Sequence, residues 1–383
     1  MKKNLLTFLL SIFFSIFILY IGFFVVIYFK NYSNDPNLFR SINKLEFHKN
    51  YSKKLHHLRG KYWPHEKHKM LNIPEDYLFS IINKYSNNSD NILLQGDSWI
   101  ERTIFLKKPS DLINNFVKKK KIGLINSGIS SFSPSLMQIQ YEILEKDFQI
   151  KPNIIFAYID QTDIGDEICR YKEKRIFDKN NTLIAVKNEN YSNAVFDYTK
   201  VYNISEILLL NNSKIRRSYK LVNFYFKYGF LIIAKKLKSI KKYGWEKRNI
   251  YKCKFAEIKK YLLESGESDI VYFEKRVIDY INFLKNKKYI EKIFLVTFPH
   301  HNHIFKYENK KDNYSINVSN IIDKIIKSEE KIYHINFSKL ILDRDIDLKY
   351  NLFQENDPAS HLREDYHANI FIQEIISTLE NLR

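Results

Sequence analysis

Residues 5–29 carry no charged side chain and read LLTFLLSIFFSIFILYIGFFVVIYF. About 20 apolar residues cross the hydrocarbon core of a bilayer, so this run is long enough to span it with some tilt. A secretory signal has a shorter apolar region, about 7–15 residues, that ends in a small-residue cleavage site. Tyr28-Phe29-Lys30-Asn31-Tyr32 offers no such site. The pattern predicts one uncleaved signal anchor, because no second run of that length follows. Lys2 and Lys3 precede the run, and Lys30, Arg40 and Lys44 follow it, so the positive-inside bias is nearly balanced. A short tail before a first span stays inside as a rule, which places the bulk of the chain outside the cytoplasm. Residues 31–88 are polar and basic, with His56-His57-Leu58-Arg59 and Lys61-Tyr62-Trp63-Pro64-His65. They read as a solvated spacer or as a segment resting on anionic headgroups.

From residue 89 the pattern changes. Short apolar runs at 91–95, 122–125, 154–159, 293–297 and 332–337 each end in a polar or glycine-containing cluster, as buried strands do. Helical periodicity lies between them. Ser133-Pro134 marks a helix start, with Pro at the first position, and Leu136, Ile139 and Ile143 follow. Val277, Ile278, Ile281 and Leu284 share one helical face, as do Val318, Ile321, Ile322, Ile325 and Ile326. A closing helix carries Ile372, Ile375, Ile376 and Leu379 inward. Strands alternating with helices imply a parallel sheet covered on both faces. The expected fold class is α/β, a three-layer α/β/α arrangement with a mostly parallel sheet. One N-terminal transmembrane helix precedes it, and a basic, aromatic, mostly helical insertion over about 180–270 interrupts it. The expected organisation is an anchor over 1–30, a juxtamembrane segment over 31–88 and one domain over 89–383. The insertion is expected to cover the site or set substrate choice, although packing or membrane contact would look the same.

The composition is globular: 383 residues, 45% hydrophobic and 27% charged. Lys plus Arg exceeds Asp plus Glu by 62 to 43, a formal charge of +19. That favours anionic surfaces without choosing among them, and an abundance of Lys and Asn raises the charge with no functional meaning. Only 9 Gly and 8 Pro exclude collagen-like and linker-rich classes. Two cysteines, Cys169 and Cys253, exclude a disulfide scaffold and a Cys-rich zinc module. They can pair if the domain lies in an oxidising compartment.

Ligands of an open parallel sheet bind at the carboxyl ends of its strands. Here those ends carry Gly96-Asp97-Ser98-Trp99, Asn126-Ser127-Gly128, Asp160-Gln161-Thr162-Asp163 and His300-His301-Asn302-His303. Asp357-Pro358-Ala359-Ser360-His361 precedes the closing helix. A serine hydroxyl becomes a nucleophile when a base takes its proton and a carboxylate orients that base. Ser98, His361 and Asp357 supply those three types. The oxyanion formed on attack needs preorganised donors, for which the Ser98 N–H, the Gly128 N–H and the Thr162 side chain are candidates.

This ordered set resembles the SGNH (GDSL-type) hydrolase superfamily over roughly residues 89–170 and 272–383. Gly96-Asp97-Ser98-Trp99 is similar to its first block, with Trp in place of the usual Leu. Asn126-Ser127-Gly128 is similar to the second, whose Gly donates to the oxyanion hole. Asp160-Gln161-Thr162-Asp163 stands where Gly-x-Asn-Asp is expected, with Asp160 for Gly and Thr162 for Asn. The last block, Asp-x-x-His followed by Leu, is matched by Asp357 to Leu362 with one residue too many. Glu364-Asp365-Tyr366-His367 is the rival, with Glu364 and His367 at the family spacing; His361 is preferred because His-Leu precedes the closing helix. The resemblance implies ester hydrolysis or acyl transfer through a seryl intermediate, with no metal or organic cofactor. A membrane-anchored member facing the periplasm or exterior of a bacterium would act on an acyl or acetyl ester of an envelope glycan or lipid. The alternatives are an O-acyltransferase with the same triad, or a non-catalytic polysaccharide-binding protein on the same scaffold. Envelope-assembly proteins and the bilayer itself are the expected partners, and nucleic acid is not.

Other readings compete at each position. Ser98 can be a helix N-cap, Gly128 a turn residue, and Asp163 a capping or solvated acid or an alternate site acid. His300, His301 and His303 read as rim histidines before zinc ligands, since their spacing fits no common finger. Asp343-Arg344-Asp345 mimics a glycosyltransferase motif without a nucleotide-binding context. Asn-x-Ser/Thr sites such as Asn203 carry little weight in an Asn-rich chain.

Overall fold

The structure is a computed structural model. It describes residues 2–29, 79–87, 90–186, 213–243, 267–304, 317–327, 330–342, 351–355, 357 and 359–382. The basic cluster at 56–65, Asn203, Cys253, Asp343-Arg344-Asp345 and the side chain of His303 lie outside the described residues. The chain divides into two compact units.

The larger unit is mixed α/β around a six-stranded, mostly parallel sheet. Its strands are β1 (Ser80–Asn83), β2 (Asn91–Gly96), β3 (Gly123–Gly128), β4 (Ile154–Tyr158), β7 (Lys292–Thr297) and β8 (Ile332–Asn336), in the order β1-β3-β2-β4-β7-β8. The five apolar runs of the sequence are the five parallel strands. Every residue of β4 is buried, which is why its sequence is apolar throughout rather than alternating. β1 pairs antiparallel with β3 at the sheet edge. No strand signal marks it in the sequence, because an edge of four residues shows neither a long apolar run nor a clear alternation.

Helices of eight residues or more are numbered α1 (Lys2–Phe29), α2 (Ser98–Phe105), α3 (Lys107–Lys120), α4 (Pro134–Phe148), α5 (Lys214–Tyr243), α6 (Glu267–Lys285), α7 (Val318–Ile325) and α8 (Gln373–Asn381). One face of the sheet presents Ile92, Leu94, Phe156 and Phe294 to Ile113 and Val117 of α3 and to Phe371, Ile375 and Leu379 near the C-terminus. The opposite face presents Gln95, whose amide donates to Met137 O and Gln140 Oε1 of α4 and whose oxygen accepts from Tyr280 of α6. Pairing of that buried amide with two helices fixes their register against β2, since an unmatched polar group there would cost stability.

The stretch expected to be a helical insertion opens instead with a hairpin, β5 (Arg175–Phe177) and β6 (Leu183–Val186). Asp178 builds the turn: its carboxylate accepts from the N–H of Asn180 and of Thr182, and Asn181 adopts φ 61°. Asn tolerates that left-handed conformation better than most residues. Among the described residues, the stretch also holds the helix α5.

The smaller unit holds α1 and α5. Tyr20 donates to Asn223 Oδ1 at 2.9 Å and its ring lies 5.2 Å from that of Phe226, while Leu221 and Val222 are buried. α1 is one continuous helix of 28 residues, as the apolar run requires. Among the described residues, no helix is long and apolar enough to cross a membrane. The side chains of residues 2–9, Ile12, Ile27 and Phe29 fall outside that description.

Candidate active site

The chain leaves β2 for β3 on one side and reaches β4 on the other, so the carboxyl ends of β2 and β4 flank the point where strand order reverses. Such a point opens a crevice. Ser98 is the first residue of α2, directly after β2. Asp97 is the N-cap, its carboxylate accepting from Trp99 N at 2.9 Å. The N–H of Ser98 thus stands at the positive end of a helix with no carbonyl of its own to serve. Ser98 is therefore not the cap, and its side chain is left for other work.

That side chain lies 2.7 Å from His361 Nε2, and His361 Nδ1 lies 2.6 Å from Asp357 Oδ2. Asp357 also accepts from the N–H of Ala359 and of His361. Burial pushes its carboxyl up, but the hydrogen bond and charge of His361 and the two N–H donors outweigh it, and the net shift is downward. The extra residue between acid and base is absorbed by Ser360, at φ 56°, whose turn brings the imidazole back over Asp357. His301 fastens that turn, with its N–H 3.2 Å from Ser360 Oγ and its Nδ1 hydrogen-bonded to the same hydroxyl. Arg102 of α2 donates to Leu362 O at 3.2 Å and ties the histidine segment to the serine helix. The sequence placed His301 only on the rim, and nothing in its neighbours marked it as a brace.

The rival pair is elsewhere. His367 is fully buried, near Thr103 and Trp99. Burial, then the charges of Arg102 and His361, hold its pKa well below the usual range. Glu364 accepts from Lys108 N at 3.0 Å, at the start of α3. Neither touches Ser98, so the family spacing in Glu364–His367 is coincidental in three dimensions.

Of the expected oxyanion donors, the Gly128 N–H is otherwise engaged. Gly128 N–H donates to Asn126 Oδ1 at 2.9 Å. Gly128 serves close approach instead: a Cβ there would meet Glu101 N at 2.2 Å and Ile100 C at 2.5 Å, both α2 backbone. Ile129 N–H donates to Gly96 O, and Ser130 N–H to Glu101 Oε2. Ser131 follows at φ 63°. Thr162 donates its N–H to Asp160 Oδ1.

Asp163 is fully buried rather than solvated. Its Oδ2 accepts from Asp160 N at 3.0 Å, while its Oδ1 has no partner among the described residues. Burial, then the charges of Asp97 and Asp160, raise its pKa well above the carboxylate range. Asp166 is raised to about 7 by burial against the opposing charge of Arg170. Glu167, which has no sequence signature, accepts from Ser133 Oγ, Ser135 N and Ser135 Oγ and so caps α4 from outside it. Cys169 is disulfide-bonded, and the only other cysteine of the chain is Cys253. Trp99, where the resembled family has Leu, is buried against Tyr158 and Phe298, with His361 6.0 Å away. No group of three or more His, Cys, Asp or Glu suited to a metal occurs among the described residues.

No protein-family profile and no curated protein matches the chain. Among solved structures, it is similar to a GDSL-like lipase from Bacteroides thetaiotaomicron, at 11% identity over 78% of this chain and 92% of that one, with a TM-score of 0.34. It is also similar to a catalytic mutant of an acetylxylan esterase from Geobacillus stearothermophilus, at 10% identity over 76% of this chain and 96% of that one, with a TM-score of 0.36. Likeness at this level carries no argument about activity, which rests on the site itself.

Proposed function

We propose that the chain is a membrane-anchored serine ester hydrolase of the SGNH type, acting on an acyl or acetyl ester of an envelope glycan or lipid. One observation carries the reading: the hydrogen-bonded relay from Ser98 Oγ through His361 to Asp357. In this mechanism Ser98 Oγ attacks the ester carbonyl carbon as its proton passes to His361 Nε2. Asp357 holds the imidazole with Nδ1–H toward itself and stabilises the cation that forms. The proton then returns to the departing alcohol, and water repeats the cycle on the acyl-enzyme. The N–H of Ser98, at the start of α2, receives the oxyanion.

Anchoring through residues 5–29 and a domain outside the cytoplasm rest on the apolar run and on the disulfide at Cys169, a bond of oxidising compartments. α5 does not cross in this topology. β4 before it and β7 after it are neighbours in one sheet, and no other stretch of the chain could return it. Envelope-assembly proteins are the proposed partners.

The test is labelling of the detergent-solubilised full chain with a fluorophosphonate probe. Labelling is expected in the wild type and lost in Ser98→Ala and His361→Ala. A folded wild type that does not label refutes the reading and leaves the non-catalytic binding protein. That alternative finds its support in the Gly128 N–H, which Asn126 Oδ1 already takes up.

A further inference from the structure

The His361 imidazole has to reach Ser98 Oγ at one end and Asp357 at the other, 2.7 and 2.6 Å away. A short antiparallel ladder fixes the carbonyl side of this residue. Gln354 N–H donates to His361 O at 2.9 Å, Arg363 N–H donates to Leu352 O at 2.9 Å, and Phe353 faces Leu362. The other side is the turn from Asp357, closed by Ser360 N–H on Asp357 O at 3.1 Å, with Ser360 at φ 56°. Serine seldom adopts that left-handed conformation, and it persists where the surroundings hold it. His301, just past the end of β7, supplies such a hold. Its ring lies 4.3 Å from that of the buried His300 and 6.1 Å from that of Phe353 on the ladder. Ser360 Oγ accepts from His301 N–H at 3.2 Å and is also hydrogen-bonded to His301 Nδ1. Ser360 is 1% exposed, and its hydroxyl has no third partner among the described residues. If Nδ1 donated, the hydroxyl would accept twice and its own proton would be stranded in the interior. The hydroxyl therefore donates to Nδ1, and the ring proton sits on Nε2.

We propose that His301 is a positioning residue for the reaction: through its neutral Nδ1 it holds Ser360 in the left-handed turn that sets His361 between Asp357 and Ser98. The inference rests on the ester-transfer reading of the site. His301 acts through Ser360 and moves no proton in the chemical step, in which the Ser98 proton passes to His361 Nε2 as the serine oxygen bonds the carbonyl carbon. The extra residue between acid and base makes this hold necessary. With Ser360 inserted, Asp357 and His361 face each other only while the backbone between them stays folded back, and Asp357 grips the imidazole but not the turn's hydroxyl. A brace delivered from β7 fixes that fold-back against the sheet itself, so the base keeps its distance to Ser98 while the ring changes charge.

The experiment uses the full chain and resolves fluorophosphonate labelling into a maximal rate and a half-saturating probe concentration. In His301→Ala and Ser360→Ala the maximal rate is expected to fall about ten- to hundredfold. The half-saturating concentration is expected to stay where it is, because a displaced base slows the chemical step and leaves probe binding alone. The double variant should lose no more than either single one, since both remove the same hydrogen bond. An Asn side chain places its oxygen where His has Nδ1, and Gln carries it one atom further out. His301→Asn is therefore expected to restore most of the rate and His301→Gln is not. The proton between His361 Nδ1 and Asp357 should give a low-field NMR resonance, identified by its loss in His361→Ala. That resonance is expected to shift or broaden in His301→Ala and to return in His301→Asn. Wild-type labelling in His301→Ala, losses that add in the double variant, or an unmoved resonance overturns the positioning role and leaves the ester-transfer reading standing. Absence of labelling in the wild type overturns that reading, while the resonance in His301→Ala still decides whether His301 holds His361.

Discussion

Replacing Gly128 by Ala separates two roles for this residue. If Gly128 acted as an oxyanion donor, Ala would keep the N–H and be tolerated. The structure instead places the new Cβ 2.2 Å from Glu101 N and 2.5 Å from Ile100 C. Ordinary contact begins near 3.4 Å, so α2 must retreat by roughly 1 Å. Both contacts are helix backbone, which does not rotate away as a side-chain tip would. Overpacking of this kind costs about 1–3 kcal/mol, a loss measurable as a lowered urea midpoint. α2 also carries Ser98, and a shift of about 1 Å between reacting groups costs on the order of a hundredfold in rate. The assay is urea unfolding with fluorophosphonate labelling of Gly128→Ala in the full chain. Wild-type stability together with wild-type labelling would refute the close-approach argument.

Replacing His367 by Leu should preserve labelling, because its imidazole is buried and neutral and does not contact Ser98; loss of labelling equal to that of His361→Ala would contradict this. Asp163→Asn should stabilise the protein above neutral pH and do little near pH 4. A raised folded-state pKa means that the folded form holds the extra proton, so wild-type stability falls as pH rises from the unfolded value of about 4 toward the folded one. Chemical denaturation at several pH values reads that slope, and an unchanged slope in the variant would count against it. Asp357 runs the other way: its pKa is lowered, so its stabilisation is complete above the unfolded value of about 4 and disappears as pH falls through the folded one. Asp357→Asn should accordingly flatten the acid-side loss of stability in thermal melts, and a melt that still steepens in acid would show the contribution to lie elsewhere.

Continuous apolar runs flanked by polar clusters told of β2, β3, β4, β7 and β8 from the sequence alone, because strands buried on both faces have no room for alternation. The helix starting at Pro134 and the relay candidates Ser98, His361 and Asp357 were likewise present in residue type and order. Edge strand β1 and the β5–β6 hairpin were not, since short elements are fixed by partners remote in the chain. Nor could spacing choose between His361 and His367: that choice depends on Ser360 adopting a left-handed turn and on His367 being buried beside Thr103 and Trp99 of α2. Gly128 shows the same limit. Its sequence position suits an oxyanion donor, yet a donor is available only if nothing nearer takes its proton, and Asn126 Oδ1 does. Residue types along the chain determined the layers and the reactive groups. Only the tertiary structure decided which hydrogen bonds those groups spend on one another, because each donor has a fixed number of protons and the fold sets who stands close enough to receive them.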